Sequence, residues 1–586
     1  MSARWYGTAL GLLLGCASSV GTRPDPTPEP TEASEASAVP EQRAVPAPPS
    51  EDEPQGTIPV WVDGEQRGMV TREQAEARGL TILDLGDEWT PPIFRDDPSL
   101  GPQGRHPYRA ELIRLANELA ENGRPRRNND FEGRYLELFG IFPTFHVLQQ
   151  RLADDERHAC HDAVDDAPIL AIERALRPGA DLPAQRRRAN AIARLRSRLE
   201  EQARRRRLES IDELAGNRRW GGELRRLREL EAAVAGIRAV QAHLRCEGYL
   251  SPRAQDGVLD AWSGRALRFW QSRHMIIALA SQLDEATRTT LTMDSRELDY
   301  ISTLRSLRER VAMASGRIED GSASNSWGTV MGRRLDYDDE FRWVSRLDPL
   351  PNGAPDLLSQ ATEAAARALG WTDPAATRAW LDAHASQRQP HRFVAVELPP
   401  PPPYHSDHMD IRVEIDRGDV WYTFPYTEDG RPRGFPVARR PTFVIYARHE
   451  GVEIPLVRWN TTIGSWQPEI NPQDGTVGMR YKESDVGPRV WRDLISSPAW
   501  LPPPGTPDDE LLVRRNGRWL PNRSITGPGY DSAYGLAMVI HHLVRNDGVS
   551  ESDWVDRGIR SHGSVSYRSI LRGYSHGCHR LFNHLA

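Results

Sequence analysis

Five consecutive prolines, Pro399 to Pro403 in "ELPPPPPYHSDHMD", constrain this chain more than any other stretch. Each proline locks φ and removes a backbone donor, so neither a helix nor a central strand runs through them. An extended segment and a domain boundary are expected there. The residue pattern changes across it. Before the run, apolar residues recur at helical spacing, as in "APDLLSQATEAAARALGW" (354–371). After it, "DIRVEIDRGDVWYTFP" (410–425) alternates and breaks at Arg417-Gly418, and "TFVIYARHEGVEIPLVRW" (442–459) repeats the form. These read as two hairpins in a mainly β C-terminal region, 404–586. The fold class expected is therefore multidomain α+β.

A chain of 586 residues needs several cores. Residues 59–155 read as a small α+β accessory region, with a strand and turn in "TIPVWVDG" and an amphipathic helix in "YRAELIRLANELAENG". Residues 156–290 read as a helical domain holding a helical hairpin at 185–239. There Ile192, Leu195, Leu199 and Ala203 form one stripe, and Leu224, Leu227, Leu230 and Val234 another. Residues 291–398 read as a helical connecting region. The arginine run 204–207 is a solvated helix face by this reading, with acidic polymers as the alternative ligand. At a net charge of −7 there is no whole-chain basic field of the kind that holds nucleic acid.

The first residues have a basic Arg4 followed by a short apolar stretch, Gly7 to Leu14. That stretch is shorter than the roughly 20 residues a spanning helix needs, so residues 1–16 read as an export signal. "LLGC" at 13–16 resembles the lipobox of bacterial lipoproteins, which implies lipidation at Cys16 and a membrane anchor in the periplasm. By the same resemblance Ala17, which is not acidic, favours the outer membrane. Residues 17–58, rich in Pro, Glu, Ala, Ser and Thr, form a disordered Pro-rich tether by composition.

The stretch "VQAHLRCEGYLSPRAQDGVLDAWSGRALRFWQSRHMI" (240–276) resembles a peptidoglycan-binding module. Val240, Gln241, Leu244, Gly248, Tyr249, Asp256, Gly257 and Phe269 fit its pattern. Trp270, which separates Phe269 from Gln271, and Ser263-Gly264 depart from it. Cys160 and Cys246 remain once Cys16 and Cys578 are set apart. In an oxidising compartment they are candidates for a disulfide, and two buried thiols are the alternative.

The chemistry concentrates at the end of the chain, in "RSHGSVSYRSILRGYSHGCHRLFNHLA". A thiol near neutrality is mostly protonated, and a neighbouring imidazole takes its proton and later returns it to a leaving amine. His562 and His576 are the candidates beside Cys578. Ser575 and Gly577 lack bulk, so a carbonyl can approach and backbone N–H groups can face an oxyanion. Arg580 suits a substrate carboxylate. Zinc is the competing reading, because His562, His576, Cys578 and His579 are all ligand types. The paired spacing of structural zinc is missing, so no metal is expected.

"HGS" (562–564) with "YSHGCHRL" (574–581) is similar to the H-G…[ST]-H-G-C-x-R signature of L,D-transpeptidases, bacterial cell-wall enzymes. "RWNTTIGSW" (458–466), "YKESDVGPRVWRDLISSPAWLPPP" (481–504) and "GPGYDSAYGLAMVIHH" (527–542) look like segments of the same domain. His579 stands where an aliphatic residue is common. The resemblance implies Cys578 as nucleophile and His562 as base and acid, oriented through the Gly563 carbonyl. His576 would shape the pocket, and the Gly577 and Cys578 amides would line the oxyanion hole. It implies a thioester formed from a tetrapeptide stem with release of D-alanine, then transfer to an amine, with no cofactor. Stem peptides of peptidoglycan are the implied partners. Family members usually continue further past the cysteine, so a shortened C-terminal wall is also implied. The alternative function is a non-catalytic lipoprotein tethering the outer membrane to the cell wall.

Overall fold

The computed structural model describes residues 56–118, 136–158, 160–276, 282–326, 348–385, 392–434, 438–470, 474–502, 511–515, 517–546, 550–565, 569–570, 575 and 577–586. The signal, Cys16, most of the tether and His576 lie outside the described residues. The protein is mixed α+β, with helices gathered before the proline run and sheets mostly after it.

The first sheet begins with a hairpin. β1 (Ile58–Val62) and β2 (Glu65–Val70) meet across Asp63-Gly64, at φ 49° and 80°, the backbone a two-residue hairpin turn requires. β3 (Thr81–Asp84) and β4 (Phe393–Val396) complete the order β2-β1-β4-β3. β4 comes from the far end of the helical region, just before the prolines. The 59–155 and 291–398 regions, expected as separate units, therefore share one sheet. They also share one core, in which Trp61 and Leu83 pack with Leu148, Leu307, Leu358 and Trp371. The physical reason is size: a two-stranded hairpin cannot bury a face alone. The Phe145–His158, Ser295–Ser315 and Leu357–Ala368 helices supply the cover.

Residues 160–291, inserted between, build their own cores. The Leu182–Arg206 and Gly221–Ala232 helices form the hairpin, with Ile192, Leu195 and Leu199 packed on Trp220, Leu224 and Leu227. A second core gathers Val240, Leu244, Tyr249, Leu267 and Trp270. Gln241, fully buried, donates to the Gln255 and Val258 carbonyls (3.1 and 2.9 Å) and accepts from Gly257 N–H (2.8 Å). Gln271, one position late because Trp270 fills the core, donates to the Gln282 carbonyl at 2.7 Å. The motif residues thus act as core and turn staples. A disulfide joins Cys160 and Cys246, with Cα atoms 5.7 Å apart.

Buried ion pairs tie the parts together. Glu137, at 0% exposure, receives Arg151, Arg305 and the Ser302 hydroxyl. Arg273 meets Asp299 and Tyr249, fastening the inserted region to the Ser295–Ser315 helix. Desolvating a carboxylate is costly, and several charged and hydroxyl donors together offset it.

Beyond the prolines, β5 (Asp410–Asp416) pairs with β6 (Thr442–His449) and not with residues after Arg417-Gly418. The first expected hairpin is not formed. At Gly418, φ is 61°, and an added Cβ would lie 2.4 Å from the Arg439 carbonyl. Asp419 accepts from the Ala438 and Arg439 amides (2.7 and 2.8 Å), so the break is pinned beneath the segment that leads into β6. The second hairpin does form: β6 turns through Glu450-Gly451 (φ 49° and 79°) into β7 (Val452–Asn460). Two short hairpins follow, β8 (Trp466–Ile470) with β9 (Val477–Tyr481) and, after β10 (Arg489–Ser496), β11 (Leu512–Arg515) with β12 (Arg518–Pro521). β13 (Ala537–Val544), β14 (Trp554–Ser564) and β15 (His579–Phe582) join β10 in a sheet of order β10-β13-β14-β15. At the end of β15, Phe582 packs on Leu138 and Met275 of the helical body.

Closing the loop between Cys160 and Cys246 stabilises the inserted region by about 4–5 kcal/mol on the chain-entropy account. Removing both sulfurs (Cys160→Ala with Cys246→Ala) is expected to speed hydrogen exchange across 160–291 and leave β13 and β14 unaltered.

Candidate active site

Four of the residues singled out from the sequence sit on one strand pair. β14 and β15 run parallel, with Ser561 opposite His579, His562 opposite Arg580 and Gly563 opposite Leu581. Side chains alternate across a strand. His562 and Arg580 therefore share a face, and Cys578, two residues before Arg580, falls on that same face. Ser561 and His579 take the other.

His562 is 2% exposed. Its Nδ1 lies 2.6 Å from the Gly563 carbonyl oxygen, which only accepts, so Nδ1 carries the proton. The other nitrogen, Nε2, is buried with no hydrogen-bond partner. The Tyr534 ring packs against the imidazole edge to face, 4.8 Å between centroids. Burial, and then the positive charge of Arg580, push the His562 pKa down to about 3. The ring is thus neutral near pH 7 and presents a bare lone pair.

Cys578 is 1% exposed, with Sγ 3.8 Å from the Gly558 carbonyl oxygen. The segment before it is tightly built. Ser575 is fully buried, and its hydroxyl accepts from Gly577 N–H at 3.3 Å. The Gly577 amide, expected in an oxyanion hole, is turned to Ser575 in this arrangement. Gly577 has φ 107°, and an added Cβ would lie 2.9 Å from the Glu483 carbonyl. Only glycine fits there without strain. Arg580 is buried, and burial pushes its pKa down to about 10.

Several residues of the site escaped the sequence reading. Thr462 donates to the Cys578 carbonyl (2.8 Å) and accepts from Arg580 N–H (3.1 Å), while Thr461 donates to the Arg580 carbonyl (3.1 Å). These two threonines clamp the strand immediately after the sulfur-bearing residue. Their signal was the polar pair in "RWNTTIGSW", which lacks any spacing to β15. Asn583 also went unnoticed. Its Oδ1 would lie 2.0 Å from a Cβ on Gly563 and 1.9 Å from one on Gly535, so both glycines make room for it.

The reverse face of the strand pair holds a second polar cluster. Ser561 lies between His541 (2.8 Å) and His579 (3.3 Å), and Trp491 Nε1 donates to His541 at 3.2 Å. Both histidines line a cavity of about 780 Å³ that neither Cys578 nor His562 lines. No protein-family model, curated protein or solved structure matches the chain.

Two outcomes follow from this geometry. Thr462→Val leaves the Cys578 carbonyl and the Arg580 amide without their side-chain partner, at about 1–3 kcal/mol per buried group. A lower melting temperature is expected, largely restored in Thr462→Ser. The buried histidines set the acid response. Burial holds His541 and His562 down to about 3 and His584 down to about 4, whereas an unfolded histidine titrates near 6.5. The unfolded chain binds more protons below that value, so stability is full above about pH 6.5 and falls as pH drops toward 3. Thermal unfolding across pH 7.5 to 4 measures it.

Proposed function

We propose that the protein is an exported acyltransferase acting on peptidoglycan stem peptides, with Cys578 as nucleophile and His562 as its base. The observation that supports it best is the His562 tautomer: Nδ1–H is spent on the Gly563 carbonyl and Nε2 is unpartnered on the face shared with Cys578. The resemblance of 562–564 and 574–581 to the L,D-transpeptidase signature supplies the substrate class. In this reading the reduced Cys578 sulfur bonds to the carbonyl carbon of the donor peptide. The thiol proton passes through His562 Nε2 to the leaving amine as the C–N bond breaks and D-alanine departs. An acceptor amine then attacks the thioester, and the thiol is regenerated.

The electrostatics shape the first step. A histidine held down to about 3 forms no resting ion pair with a thiol of ordinary pKa, about 8.5. Proton transfer accompanies C–S bond formation, and the strongly acidic imidazolium then surrenders the proton readily to the leaving amine. The wall-binding role of 240–276, the lipid anchor on Cys16 and the outer-membrane location belong to the same proposal, on the resemblances already given.

A second reading has its own observation. Cys578 is 1% exposed, as suits a non-catalytic lipoprotein that tethers the membrane to the wall. Mass spectrometry after meropenem exposure separates the two. Reduced wild type is expected to gain one covalent adduct, lost in Cys578→Ala and slowed at least tenfold in His562→Ala. A reduced wild type that takes up none leaves the tether reading. The acylation rate should show no inflection near pH 6.5, because His562 is already neutral there.

A further inference from the structure

The β5-β6-β7 and β10-β13-β14-β15 sheets meet along one side and part along the other. On the joined side Thr461 and Thr462, just after β7, bond to β15 and its preceding residue. On the parted side β5 and β10 are both edge strands. The cavity of about 780 Å³ fills this seam, lined by Ile411, Val413 and Ile415 of β5 and by Arg489 and Trp491 of β10. Among the described residues neither strand has a ladder partner on that side. An edge strand offers its backbone N–H and C=O groups to any extended chain that reaches it.

Two arginines in the seam keep a buried guanidinium nitrogen without a hydrogen-bond partner, Nε of Arg417 and Nη1 of Arg489. Arg489 has 9% of its side chain exposed. Its Nη2 donates to the Asp485 carboxylate and main-chain carbonyl (2.5 and 3.0 Å), while Nη1 is buried with no hydrogen-bond partner. The other arginines of the cavity pair with carboxylates as Arg489 does with Asp485: Arg412 and Arg448 hold Glu453, and Arg417 holds Glu483. Among them Arg489 is the one whose unpartnered nitrogen is a terminal one, able to form the second arm of a fork. A buried donor without an acceptor keeps its desolvation penalty uncompensated. The back wall does not supply one. Trp491 N–H occupies His541 Nε2, so that nitrogen is unprotonated. Ser561 O–H also points to it and accepts from His579 Nδ1–H in turn. Burial, first of all, keeps both rings neutral.

We infer that the seam binds an extended peptide by its C-terminal carboxylate. The carboxylate completes Arg489 Nη1, the peptide backbone lies along the open strand edges, and apolar side chains meet Ile411, Val413 and Ile415. The seam lies behind the strand pair that carries His562 and Cys578, and the inference stands independently of acyl transfer.

Calorimetric titration of the full chain with acetyl-Val-Thr-Val bearing a free carboxylate tests it. Saturable one-to-one binding is expected. It should weaken at least tenfold for the C-terminal amide, for acetyl-valine, and for Arg489→Gln. Because Arg489 also braces Asp485, Ile411→Asp gives a second variant; Ile411 is 44% exposed and its change puts a repelling carboxylate on the opposite lip. It too should weaken binding at least tenfold without lowering the melting temperature. Equal affinity for the amide, or unaltered binding in either variant, overturns the carboxylate contact. Equal affinity for acetyl-valine overturns the strand contact. Inorganic phosphate binding more tightly than the peptide overturns the peptide assignment in favour of a free anion.

Discussion

The parallel pairing of β14 with β15 governs the functional end of this molecule. A parallel pair cannot close through a tight turn and needs a crossover between its strands, which is why His562 and Cys578 stand well apart in sequence. The register sets what each face presents. A one-residue slip would exchange His562 for Ser561 and Cys578 for His579. Two devices hold that register. Thr461 and Thr462 clamp the backbone around Cys578 and Arg580. The Asn583 side chain wedges between Gly535 and Gly563, where any larger residue would displace it.

Burial does most of the electrostatic tuning on both faces. His562, His541 and His579 are all held neutral by desolvation before any charged neighbour is counted. On one face this leaves the unpartnered lone pair of His562; on the other it leaves a polar wall behind Arg489. The helical body uses the opposite solution. There Glu137 remains charged because Arg305 and Arg151 surround it. That network also positions the residues on which the end of the chain rests: Leu138 follows Glu137 and packs on Phe582.

The helical hairpin was legible because its stripes are local: Ile192, Leu195 and Leu199 need only their own helix to declare a face. The β6–β7 hairpin was legible for the same reason, through Glu450-Gly451. The supposed hairpin at Arg417-Gly418 misled. A break in alternation marks a turn but does not say which strand comes back. The shared core of the first sheet was hidden, because β1 and β4 lie at opposite ends of the helical region and no periodicity links them. Thr461, Thr462 and Asn583 were hidden likewise. A threonine's hydroxyl has no partner until another segment is laid beside it.

Residue types and short spacings by themselves determined the helix faces, the boundary at Pro399 to Pro403, the glycines that turns demand, and the candidate histidine and cysteine. Those depend on backbone sterics and side-chain chemistry within a few residues. Only the tertiary structure decided which tautomer His562 adopts, which face Cys578 shares, that Arg489 is left one acceptor short, and that two edge strands stand open across a seam. Each of these depends on desolvation and on hydrogen bonds between segments far apart in the chain, quantities that exist only once the chain has closed on itself.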